Sequence, residues 1–146
     1  MSDKVICQFV DTNILLYVYD ITAGTKHKRS KFLVQQLWTE HRGALSLQVL
    51  QEFYVNATRK IPFPLAIDIA KQIISDLRTW RIHSPTVVDI VSAIEIQQRY
   101  QISFWDALIV RSASQLGCAC IWSEDLNPGQ VYEGVRVANP FTDSAG

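Results

Sequence analysis

Four carboxylates, Asp11, Glu52, Asp106 and Asp125, stand where an acid is costly or geometrically constrained. Asp11 ends the apolar run Val5 to Val10, and Asp125 closely follows a second run, Cys118 to Trp122. Glu52 falls on the apolar stripe of one helical pattern, and Asp106 lies in the first turn of another. Gathered in one crevice, four acids repel one another and each becomes harder to ionise unless something positive is present. Oxygen donors without a nearby imidazole or thiolate select Mg²⁺ or Mn²⁺, and Mg²⁺ keeps several waters while sharing its other positions with substrate phosphate. The chemistry open to such a cluster is hydrolysis at phosphorus. The ion acidifies a water for attack, and the same ion or a second one about 4 Å away stabilises the leaving oxygen.

Each acid also has a structural alternative. Asp11 is a natural cap for a helix beginning near Thr12. Glu52 shares a face with Val49, Phe53, Asn56 and Ala57, where a carboxylate costs several kcal/mol (about 3–5) unless it is coordinated or paired, for instance with Arg59 or Lys60. Ser103-x-x-Asp106 has capping-box spacing, and the helix dipole favours an acid there. Glu124 adjoins Asp125, so either of the two can face a cation.

The elements that must position these groups alternate along the chain. The opening run reads as a buried strand, followed by a short helix from Ile14 to Tyr19 and a turn-rich stretch to Gly24. Lys26, Lys28, Arg29 and Lys31 then crowd the first turns of a helix, where the dipole disfavours cations; they form either a solvated surface or a phosphate-contact patch. Ala44 to Leu47 reads as a short strand and Gln48 to Lys60 as a helix; Ile61-Pro62-Phe63-Pro64 is a rigid connector. Leu65 to Trp80 is expected to be a helix with an apolar face wide enough for core packing or a subunit interface. Thr86 and Asp89 have capping-box spacing at the start of the next helix, with Val87, Ile90, Val91 and Ile94 expected inward. A further helix starts near Ile102 and stops at Gly117; Cys118 to Trp122 is a strand, Val135 to Val137 an edge strand, and Thr142 to Gly146 a frayed tail. Alternation of this kind predicts one α/β domain over residues 1–146, a three-layer sandwich with a mostly parallel sheet.

Composition sets further bounds. Fourteen basic and fourteen acidic residues cancel, so any nucleic-acid site has to be a local concentration of charge. Cys7, Cys118 and Cys120 lie in apolar runs and read as buried hydrophobes in a reducing compartment, and the three histidines lack zinc-site companions. No apolar stretch approaches the roughly 20 residues of a membrane span, which predicts a cytoplasmic protein.

Taken in order, Asp11-Thr12-Asn13, Glu52, Ser103-Phe104-Trp105-Asp106-Ala107-Leu108-Ile109 and Ser123-Glu124-Asp125-Leu126-x-x-Gly129 resemble the successive signatures of PIN-domain ribonucleases, specifically the VapC-type toxins of bacterial toxin–antitoxin pairs. The resemblance runs from Val5 to Phe141. It implies an α/β/α sandwich, a Mg²⁺- or Mn²⁺-dependent endoribonuclease acting on RNA loops, a homodimer, and a cognate antitoxin that inserts a segment into the active-site groove. Asp11, Glu52, Asp106 and Asp125 match the family's acidic metal site, and Asn13 and Ser123 its flanking polar positions. The expected arrangement places the ion on Asp11 and Asp106, with Glu52 and Asp125 holding waters or a second ion, and with Lys26, Lys28, Arg29 and Lys31 tracking the RNA backbone. Two other readings compete: a non-catalytic binding module whose acids receive a structural cation or a partner's arginine, and a related nuclease directed at DNA.

Overall fold

The computed structural model describes residues 6–142, so Val5 and the tail beyond Thr142 lie outside the described residues. The chain opens with β1 (Gln8–Val10), α1 (Thr12–Tyr19), α2 (Thr25–Thr39) and β2 (Gly43–Ser46), then α3 (Leu47–Arg59), α4 (Ile67–Leu77) and β3 (Arg81–His83). It continues through α5 (Val87–Tyr100), α6 (Phe104–Gln115) and β4 (Cys120–Trp122), and closes with β5 (Val131–Tyr132) and β6 (Val135–Ala138). One sheet of order β3-β2-β1-β4-β6-β5 runs through the centre, parallel throughout except for the β5–β6 hairpin. Helices flank it, giving the α/β/α sandwich expected of the alternating pattern.

The inner strands β1, β2 and β4 are short and buried at their centres, as parallel strands covered by crossover helices must be. Phe9, Val10, Leu45 and Ile121 meet Val49 and Phe53 of α3 in a continuous core. From β1 the chain winds outward through β2 to β3, then returns through α5 and α6 to β4 on the other flank of β1. The direction of winding therefore reverses between β1 and β4. At such a point the loops leaving the two strands diverge and open a crevice at their carboxyl ends.

Several local expectations are corrected. The helix expected over Leu65 to Trp80 ends at Leu77, and Arg81–His83 forms a strand pairing with Ala44–Ser46. With only one apolar residue, Arg81-Ile82-His83 carries no strand signal; pairing to buried β2 makes it one. Trp80 folds back instead over Gly43, where a Cβ would lie 2.3 Å from the indole, and meets Trp38 edge-on with centroids 5.7 Å apart. Val135–Ala138 is an internal strand because the two-residue β5 supplies the edge.

The face of α5 is also reversed. Val87, Ile90, Val91 and Ile94 are 42–75% exposed, while Asp89, Ala93 and Ile96 point inward. The capping box at Thr86 forms as expected, and Asp89 does more: it accepts from Arg111 Nε of α6 at 2.8 Å and lies 3.4 Å from His83 Nε2 of β3. Those partners turn the acid toward the protein and the valines and isoleucines away from it.

The three cysteines are free; Cys7 and Cys118 are buried, with their sulfurs 2.9 Å apart, whereas Cys120 is only half-buried, and the strand expected from Cys118 begins at Cys120. Among the described residues no helix is long and apolar enough to cross a membrane.

Candidate active site

Asp11 is where β1 becomes α1. Its backbone N–H continues the sheet by donating to Trp122 O at 3.0 Å, and Oδ1 caps α1 by accepting from Thr12 N at 2.7 Å. Capping uses only one of its oxygens. The other, Oδ2, accepts from Ser123 Oγ at 2.8 Å, just past the end of β4. Asp11 is 6% exposed, and burial pushes its carboxyl up to about 6; the Ser123 and Thr12 bonds oppose that rise, and the charges of Asp125 and Asp106 add to it.

Asp125 lies in the loop after β4, which the same serine organises by accepting from Asp125 N at 3.1 Å. Its Oδ2 accepts from Asn13 Nδ2 at 2.7 Å, so the first residues of α1 hold acids on both sides of the crevice. Burial raises its carboxyl above the ordinary range, followed by repulsion from Asp106 and Glu124. Asp106 opens α6, where Ser103 Oγ accepts from its N–H at 3.1 Å. Its carboxyl is raised by burial, lowered by the Ser103 hydroxyl, and raised again by the charge of Glu52.

Glu52 comes from the second turn of α3, a helix started at the end of β2 by Ser46, whose hydroxyl accepts from Val49 N at 3.3 Å. Its Oε1 accepts from Thr12 Oγ1 at 2.7 Å. Among the described residues neither Arg59 nor Lys60 forms an ion pair with it; the partner is a neutral hydroxyl. All four acids therefore come to one rim, each from a different element, and each is tied to another by repulsion. Among the described residues no three His, Cys, Asp or Glu side chains form a ready metal cage. The donor set still fits a hard cation, since Mg²⁺ takes one or two carboxylates and completes its shell with water and phosphate.

Glu124 and Asp125 point to different partners. Glu124 accepts from Tyr17 OH at 2.6 Å and pairs with Lys26. Burial resists its ionisation, but Lys26 and Tyr17 together hold its carboxyl below the ordinary range. Lys26 is thereby committed, with Nζ 5.4 Å from the Tyr17 ring. Arg29 reaches the Pro140 and Phe141 carbonyls at 3.2 and 3.3 Å; Lys28 and Lys31 are exposed on different sides of α2.

Nothing in the local sequence marks Thr12 and Gln48. Thr12 lies inside the Asp11-Thr12-Asn13 run, where its neighbours carry the signal. Gln48 stands one turn before Glu52 on α3; it is buried and donates to Trp105 O at 3.3 Å. Trp105 itself is 60% exposed beside Asp106.

The sequence pattern of the PIN domain matches residues 8–133 of this chain. The chain belongs to the PIN-domain family. No curated protein matches it in sequence. Among solved structures, it is similar to a toxin–antitoxin complex from Klebsiella pneumoniae, with 22% identity, TM-score 0.64, and coverage of 91% of this chain and 97% of that one. DNA-bound VapBC from Salmonella typhimurium matches at 13% identity and TM-score 0.64, over 92% of this chain and 98% of that chain. VapC20 of Mycobacterium tuberculosis, a toxin that cleaves the sarcin-ricin loop, matches at 20% identity and TM-score 0.60, over 81% of this chain and 91% of its own. At these identities the likeness to this PIN-domain chain is one of fold.

Proposed function

We propose that this PIN-domain chain is a Mg²⁺-dependent endoribonuclease, with Mn²⁺ as an alternative ion, and the toxin of a toxin–antitoxin pair acting in the cytoplasm. The observation that carries this reading is the convergence of Asp11, Glu52, Asp106 and Asp125 at the switch point between β1 and β4, each repelled by another and Asp11 almost fully buried. An arrangement that costs the fold stability is intelligible if a cation and a phosphate complete it.

Asp11 and Asp106 would hold the ion, with Glu52 and Asp125 placing waters or a second ion beside it. Bound there, the cation supplies positive charge to the phosphate and acidity to water. The chain's own groups do the positioning: Ser123 fixes Asp11, Asn13 fixes Asp125, and Thr12 fixes Glu52. RNA is favoured over DNA by the sarcin-ricin loop cleavage of VapC20, and an antitoxin partner by the toxin–antitoxin complexes among the structural neighbours. An arginine from such a partner would pair bidentately with these carboxylates and compete for their charge. A second copy of the chain would cover the exposed apolar face of α5, together with Ile67 and Ile69 of α4, and a sedimentation measurement tests that dimer.

Incubating purified chain with total cellular RNA tests the activity. Discrete fragments formed with Mg²⁺ and abolished by EDTA support it; intact RNA in both conditions points to a binding module instead.

A further inference from the structure

A groove of about 1190 Å³ runs between α2 and the face of the sheet formed by β1, β4 and β6. Its walls carry Lys28 and Arg29 from α2, Arg42 from the turn before β2, and Arg136 from β6; among the described residues the one acid that lines it, Glu40, lies 3.5 Å from Arg42. Four cations against one carboxylate is a local excess in a chain whose total charge is zero. The floor is set by register. Gln8, Cys120 and Arg136 stand side by side across the three strands, and Trp122 follows Cys120 on the same face. The Trp122 indole is held there by donating to Gln8 Oε1 at 2.7 Å, while Phe32 on the α2 wall is 70% exposed.

We propose that this groove binds the single-stranded RNA flanking the scissile phosphate, an inference that rests on the nuclease reading above. Trp122 and Ala138, which line it, are the last residues of β4 and β6, and the residue after Trp122 is Ser123, which donates its N–H to Ala138 O at 3.0 Å and holds Asp11 through its hydroxyl. A strand lying in the groove is thus led to the four acids. Cations along both walls together with flat apolar surfaces suit a chain that carries a charge and a base at every residue. An acidic peptide suits the cations equally but has no bases to stack on Trp122 and exposed Phe32. The binding track is therefore defined by Lys28, Arg29, Arg42 and Arg136. Lys26 is taken by Glu124, and Lys31 lies outside the groove.

The probe is a fluorescently labelled oligouridylate, titrated by anisotropy in EDTA so that no cleavage occurs. Replacing Lys28→Gln and Arg136→Gln together should weaken binding by at least about tenfold and make the log–log salt slope shallower by about 1.4, two single-strand contacts at about 0.7 each. Lys71→Gln on α4 should bind like wild type, and Arg136→Lys should recover most of the affinity, which separates lost charge from lost folding. Wild-type affinity in the double variant overturns the proposal, as does tighter binding of polyglutamate than of oligouridylate by the wild type. The nuclease reading fails separately: RNA bound through Arg136 but left intact with Mg²⁺ keeps the groove and removes the catalysis. Normal cleavage and binding by the double variant does the reverse.

Discussion

The Ser123 hydroxyl donates to Asp11 Oδ2 at 2.8 Å and accepts from Asp125 N at 3.1 Å. One side chain at the end of β4 thus fixes a carboxylate on the β1 loop and the backbone that presents a second. Because the serine follows a strand paired in register with β1, the spacing of these two acids is set by the sheet and not by the loops alone.

The buried acid has a signature in metal-free stability. Asp11 titrates near 6 in the folded chain against an ordinary value of 3.8, so between these pH values the folded state holds a proton that the unfolded state has lost, and stability falls as pH rises. Above pH 6 the whole penalty is present, at most about 3 kcal/mol. Asp11→Asn should therefore be more stable than wild type in EDTA at pH 7 and equal to it near pH 4. Urea unfolding at the two pH values checks this, and a variant less stable at pH 7 contradicts it.

Thr12→Val removes the hydroxyl that holds Glu52 while keeping the side-chain shape. Loss of an orienting partner behind an ion-holding carboxylate costs about 10–100-fold. Cleavage should fall by about tenfold, with folding stability reduced by no more than about 1 kcal/mol. Unchanged single-turnover cleavage would show that Glu52 needs no such support.

Asp89 joins three elements, through Thr86 of the α5 cap, Arg111 of α6 and His83 of β3. The Thr86 backbone bond first, and then Arg111, hold its carboxyl below the ordinary range against the effect of burial. Its contribution is present above the unfolded value near 3.9 and is lost as pH falls through the lower folded value. Asp89→Ala should cost about 3 kcal/mol at pH 7, because it leaves Arg111 partly buried without its partner. The gap between variant and wild type should close in strong acid. Thermal or urea melts across that range would reveal a pH-independent gap if the account is wrong.

The fold class and the family were legible because strands ending in acids and helices opening after serines leave marks at fixed places in sequence. Asp11, Asp106 and Asp125 follow such punctuation, and Glu52 follows a helical period. What was not legible depends on partners distant in sequence. Arg81-Ile82-His83 is a strand only because β2 lies beside it. The α5 stripe that turns inward is chosen by Arg111 and His83, which periodicity cannot weigh against four exposed valines and isoleucines. Arg42 and Arg136 gave no signal of their own, since they join Lys28 and Arg29 only across the sheet. Lys26 was set apart from its basic neighbours by Glu124, nearly a hundred residues away.

The central claim is that these acids form a cation-dependent phosphodiesterase site, and Asp106→Asn tests it most directly, because an amide keeps the size of the side chain and leaves the Ser103 cap on its N–H intact. With Mg²⁺ and total RNA, the account predicts discrete fragments from wild type and none from Asp106→Asn, with the variant melting at or above the wild-type temperature. Fragments from the variant at the wild-type rate would contradict it.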